Sequence, residues 1–144
     1  MKKVIIAGVT LFWSFFAFAA TPEVDPLVLK AFQGEFRGAQ EVKWKTTNGY
    51  YEAAFTFNGQ HITAIYQSDG KLLGLSKNIS PLELPIRLQT RLKNKYSPYW
   101  ITDLFELSND EGTTYYVTVE NGDIKLVLKS IGTTGWTFVK KSEK

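Results

Sequence analysis

The 144-residue chain contains no cysteine and a single histidine, His61. The missing cysteine excludes a disulfide framework, a thiolate metal site and a lipid-carrying cysteine. A metal centre needs several donors at ligand spacing, and no His/Cys/carboxylate cluster supplies them. There is no Gly-rich phosphate loop and no nucleophile elbow. An excess of one charge is also lacking. The formal net charge is +3, but Lys2 and Lys3 stand in the N-terminal segment, and without them 15 basic residues face 14 acidic ones, a net +1. No dense Lys/Arg patch precedes the tail, so no nucleic-acid partner is expected. Long apolar runs are limited to one, at 4–18. It covers about 15 residues, short for a membrane span that needs roughly 20.

That run is the first positive signal. Lys2 and Lys3 precede it, and Ala17-Phe18-Ala19 follows with the small-x-small pattern of a signal-peptidase site. The expectation is a signal peptide over residues 1–19, a mature chain of 20–144 beginning at Ala20, no membrane span after cleavage, and a periplasmic or secreted location.

The mature segment reads as helix, then strands, twice. Asp25-Pro26 offers an N-cap with proline at the first helical position, and Val28, Phe32 and Phe36 form an every-fourth stripe. Alternating strands follow around Val42 and Trp44, from Tyr50 to Phe57, around Ile62 to Tyr66 and from Leu72 to Lys77. Asn48-Gly49, Asn58-Gly59 and Asp69-Gly70 supply the turns. Ser80-Pro81-Leu82-Glu83 is a capping-box pattern, Pro85 divides a short turn from a main helix, and Leu88, Leu92 and Tyr96 repeat the stripe. Four more strands are expected around Trp100–Leu107, Thr114–Glu120, Asp123–Ser130 and Gly135–Lys140, with Asn121-Gly122 matching Asn58-Gly59. Matched apolar positions in the two halves imply an internal repeat of about 60 residues.

Repeat one then spans about 25–78 and repeat two about 80–140. The expected fold is α+β: two tandem α-β4 repeats in one antiparallel sheet of about eight strands, with both helices on one face and one shared core. Tyr99 and Trp100, at the repeat junction, are expected in that core.

The helix ending at Phe36, Val42-Lys43-Trp44, Tyr50-Tyr51-Glu52, Ile65-Tyr66-Gln67-Ser68-Asp69-Gly70-Lys71-Leu72, Leu84-Pro85, Tyr96 and Tyr115-Tyr116-Val117 together resemble the PepSY-like, beta-lactamase-inhibitor-like periplasmic domain family. The resemblance covers roughly 25–140. It implies tandem helix-plus-four-strand units and an exported location, but no inhibitory loop can be matched, and Ile131 stands where the first half has Asp69.

No catalytic, cofactor-binding or metal-binding residue emerges. Asp69-Gly70 and Asp110-Glu111-Gly112 are accounted for by turn chemistry, not by a calcium loop. Glu52 and Glu120 share strand parity, which solvated strand charges explain. The chain is therefore expected to be no enzyme and to need no cofactor. Strand parity places Tyr50, Glu52, His61, Ile65, Tyr116, Thr118 and Lys125 on the sheet face away from the helices. Tyrosines with mixed charge suit a protein-binding face. The expected function is a binding module for another exported protein, acting as an inhibitor or modulator. The alternative is a small-molecule or glycan module using exposed aromatics.

Overall fold

A computed structural model describes residues 22–144. The expected signal peptide lies outside the described residues. Helix α1 (Pro26–Glu35) starts where Asp25 accepts a hydrogen bond from the Leu27 amide, at 2.8 Å. Strands β1 (Gln40–Thr47), β2 (Tyr50–Phe57), β3 (Gln60–Tyr66) and β4 (Leu72–Asn78) follow. A 3-10 turn (Pro81–Glu83) carries the expected capping box, and α2 (Ile86–Tyr96) begins after Pro85. Strands β5 (Trp100–Asn109), β6 (Gly112–Glu120), β7 (Ile124–Ile131) and β8 (Thr137–Glu143) complete the chain.

All eight strands form one antiparallel sheet in sequence order, β1 to β8, as the alternation predicts. The hairpins at Asn48-Gly49 and Asn58-Gly59 hold both residues at positive φ, the primed turns that follow the strand twist. Asn121-Gly122 also turns the chain, but by a different device. The Asn121 side chain accepts from the amides of Asp123 and Ile124, both at 2.9 Å, so Gly122 needs no positive φ. Gly70, at φ +85°, is required for a second reason: a Cβ there would lie 2.8 Å from the Leu27 carbonyl oxygen, so only glycine lets this turn approach α1.

The helices bury the expected stripes. Val28, Phe32, Phe36, Leu88 and Leu92 are buried and Tyr96 is half-buried. The core, however, is two clusters and not one. Val28, Phe32 and Phe36 pack with Ala53, Phe55, Ala64 and Tyr66. Leu84, Leu88 and Leu92 pack with Leu104, Val117, Val119 and Leu128. The cluster under α1 draws on β1 to β4, and that under α2 on β5 to β7. At the junction, β4 and β5 pair over only Leu75–Ser108 to Asn78–Phe105, reinforced by the Lys77–Glu106 ion pair at 3.4 Å.

Two further expectations fail for identifiable reasons. Trp100 is not in the core: it is 50% exposed, because a register shift between Ile101 and Asp103 turns the start of β5 over. Tyr99 is half-buried against the second cluster, as expected. The last strand begins at Thr137 and not near Gly135. The segment before it leaves the sheet to hold α2: Arg91 donates to the Thr134 carbonyl at 3.0 Å, and the Trp136 indole N–H donates to the Leu88 carbonyl at 3.0 Å.

Candidate functional site

Pairing register carries the site from sequence to geometry. Side chains alternate between faces along a strand, and paired residues share a face. Ala53, Phe55, Val117 and Val119 face the helices, so Tyr50, Glu52, Thr56, Tyr116 and Glu120 face away. All seven strand-parity candidates can be followed as neighbours or as separate positions on this open face, with one correction in access.

Glu52 pairs with Lys45 on one side and Ile65 on the other. His61 pairs with Thr56, whose hydroxyl lies 3.1 Å from His61 Nδ1 and 3.4 Å from Glu41 Oε2. With the hydroxyl donating to Glu41, its oxygen accepts from the Nδ1–H of His61. Lys125 is exposed and pairs with Glu120 and Ser142. Thr118 has the expected orientation but not the expected access. It is only 7% exposed, a short side chain on an inner strand between Asp103 and Val127, with Tyr116 and Glu120 two residues away on either side.

Tyr50 and Tyr116 both face outward but are not counterparts in the repeat. Tyr51 matches Tyr115, so Glu52 matches Tyr116 and Tyr50 matches Thr114. Four strand spacings separate β2 from β6, about 19 Å. Tyr50 also stands at the opposite end of β2 from Thr56, whose row, through His61, leads towards Tyr116. The two tyrosines therefore mark separate parts of the face.

The residues that sequence parity missed lie on β5. Phe105 pairs with Tyr116 and stacks on it, with ring centroids 5.0 Å apart and an interplanar angle of 13°. Leu107 and Asp103 share this face, as does Trp100. Alternation outward from buried Leu104 would have placed Phe105 correctly; the shift between Ile101 and Asp103 obscures it. Trp100 donates to Glu120 at 3.2 Å, and Lys144 lies 4.9 Å over the indole while bridging Glu120 at 3.4 Å.

Between the Phe105–Tyr116 stack and β1 the face dips. Ala54, Thr63 and Ser76 are paired across three strands and form a floor of short side chains. Lys43, His61 and Asn78 rim a cleft of about 290 Å³ above it. Twist curves the sheet, and small residues deepen the hollow where large ones would fill it. Among the described residues, no group of three or more His, Cys, Asp or Glu could hold a metal ion, and no helix is long and apolar enough to cross a membrane.

No protein-family model and no curated protein matches the chain. Solved structures do. A BLIP-like protein from Bacteroides fragilis superposes with a TM-score of 0.69 at 20% identity, covering 84% of this chain and 86% of its own. A DUF2874 family protein from Bacteroides ovatus gives 0.74 at 18%, covering 84% and 88%. A candidate periplasmic protein from Bacteroides eggerthii gives 0.75 at 13%, covering 84% and 89%. The chain thus has the fold of BLIP-like and DUF2874 proteins, over nearly the whole of those domains.

Proposed function

We propose that the protein is an exported, non-enzymatic binding module that grips a protein partner on its open sheet face. The observation that carries this reading is the Phe105–Tyr116 stack, which stands half-exposed beside a hollow floored by Ala54, Thr63 and Ser76. Soluble proteins cover large aromatic surface when nothing else uses it, and exposed aromatic groups beside a recess are typical anchor points of interfaces. Lys43 and Lys45 at one side, and Lys125 and Lys129 at the other, frame the face with positive charge. The likeness to a BLIP-like protein and to a candidate periplasmic protein supports an exported module, and modulation of another exported protein is the activity that follows.

The test is retention of a partner from periplasmic extract by wild-type protein and by Phe105→Ala/Tyr116→Ala. A specific protein held by the first and lost by the folded second supports the proposal. Retention of a glycan in place of any protein would favour the alternative, a sugar stacked on Phe105 or Tyr116 with the rim residues as hydrogen-bonding groups. Equal retention of the protein by both forms would remove the stack from the site.

A further inference from the structure

The two repeats are alike down to a shared irregularity. Strand β4 pairs on β3 with a register shift between Ile65 and Tyr66, and β8 pairs on β7 with one between Val127 and Leu128. Tyr66 and Leu128 are counterparts, so Leu72 matches Phe138, Gly74 matches Lys140 and Leu75 matches Lys141. Their outer edges differ. That of β4 is filled by β5, whose Glu106 answers Lys77 at 3.4 Å. Among the described residues, that of β8 has no strand beside it.

From this asymmetry we infer that the outer edge of β8 is a second binding site, which takes an extended acidic segment of a partner protein as a ninth strand. An unpaired strand edge presents a row of backbone donors and acceptors, and strand addition satisfies them. The side chains are arranged for a visitor. Phe138 is 63% exposed and Val139 45%, whereas Leu72, the counterpart of Phe138, is half-buried. On the helix side, beside the start of β8, Arg91, Lys95, Tyr96 and Trp136 line a cleft of about 330 Å³. Lys140, Lys141, Arg91 and Lys95 form no ion pair among the described residues. A strand with two adjacent acidic residues would place one carboxylate beside Lys140 on one face and the next beside Lys141 on the other, as Glu106 does for Lys77.

Charge also decides against a second copy of this chain. The other free edge, β1, carries Lys43 and Lys45, and two β8 edges would set Lys140 and Lys141 against themselves. Like charges directly opposite in a sheet are destabilising.

The probe is a blocked peptide of about ten residues, Thr and Val around a central Glu-Glu pair, matched to a peptide with Lys for Glu. Amide hydrogen exchange of the full mature chain should slow at least tenfold across Thr137–Glu143 when the acidic peptide is saturating. Raising salt from about 0.05 to about 0.5 M should weaken binding. Lys140→Glu/Lys141→Glu should weaken it at least tenfold, and Lys140→Gln/Lys141→Gln serves if the first variant misfolds. Phe105→Ala should leave it unchanged, which separates this site from the open face. Unchanged exchange across Thr137–Glu143, equal binding of the Lys peptide, or sedimentation equilibrium showing a dimer closed through β8 would each overturn the inference.

Discussion

Phe32 is the side chain on which the first repeat turns. It is 6% exposed, and its ring lies 5.5 Å from Phe36, 5.2 Å from Trp44 and 5.0 Å from Phe55, the last two edge-on. Phe32→Ala removes a buried ring, a change that costs about 3–5 kcal/mol, and the edge-on contacts place it in the upper part of that range. With a urea slope of about 2 kcal/mol per molar, a loss of about 4 kcal/mol lowers the unfolding midpoint by about 2 M. A loss below about 1 kcal/mol would mean that α1 does not pack on β1 and β2 as described.

The two-cluster core makes the same residue informative twice. No residue packs both with Phe32's cluster and with Leu88's. Mild truncations, Phe32→Leu and Leu88→Val, should each cost about 1 kcal/mol, and together the sum of the two within about 0.5 kcal/mol. A coupling above about 1 kcal/mol would show one continuous core, and the separation of the clusters would be wrong.

Tyr66 is fully buried and its hydroxyl has no hydrogen-bond partner. Burial, aided by the charge of Glu35, pushes its pKa up from 10.0 to about 12. The neutral phenol is therefore favoured in the folded state, so its contribution is full below pH 10 and is lost as pH rises towards 12. Tyr66→Phe should be neutral or slightly stabilising near pH 7 and should flatten the alkaline loss in melts at pH 10 to 12; an unchanged alkaline slope would refute this. Gly70→Ala forces a Cβ against the Leu27 carbonyl at φ +85° and should cost on the order of 1–3 kcal/mol by chemical denaturation, with a neutral outcome showing that the turn does not abut α1. Intact mass of the protein from its native host should start at or near Ala20, and a mass retaining residues 1–19 would refute cleavage.

Most of the fold is legible in the sequence because it rests on short-range chemistry. Asn48-Gly49 and Asn58-Gly59 set primed turns, the every-fourth stripes set the helix faces, and the alternation in Tyr50–Phe57 and Thr114–Glu120 sets the sheet parity. What is not legible arises wherever one extra residue enters a strand. Shifts in β1, β4, β5 and β8 reverse parity locally without any compositional mark. The shift in β5 hid Phe105 and exposed Trp100. The two-cluster core was hidden for another reason: repeat matching shows what each half contains, but not that each helix stays over its own strands.

The repeat also shows that the two halves diverge on the open face and not in the core. Counterparts that pack are alike: Val28 and Leu88, Phe32 and Leu92, Phe36 and Tyr96, Ala53 and Val117. Counterparts on the open face are not. Glu52 answers to Tyr116, Tyr50 to Thr114, Ala54 to Thr118 and Thr56 to Glu120. The packing demand on a helix-facing residue is the same in both halves, whereas an outward-facing residue is free to diverge. The result is a face that is hollow and polar over β2 to β4 and aromatic over β5 and β6. On the proposed reading, a partner shaped to this face would fit it in one orientation, since the hollow at Ala54 and the Phe105–Tyr116 stack are not interchangeable. If the halves were interchangeable in binding, Phe105→Ala and a hollow-filling Ala54→Phe would weaken a partner's grip alike. The asymmetry instead predicts that Ala54→Phe blocks the partner while Phe105→Ala loosens it: a slower association in the first variant, and a faster dissociation in the second, by surface plasmon resonance. Matching rate changes in both variants would refute it.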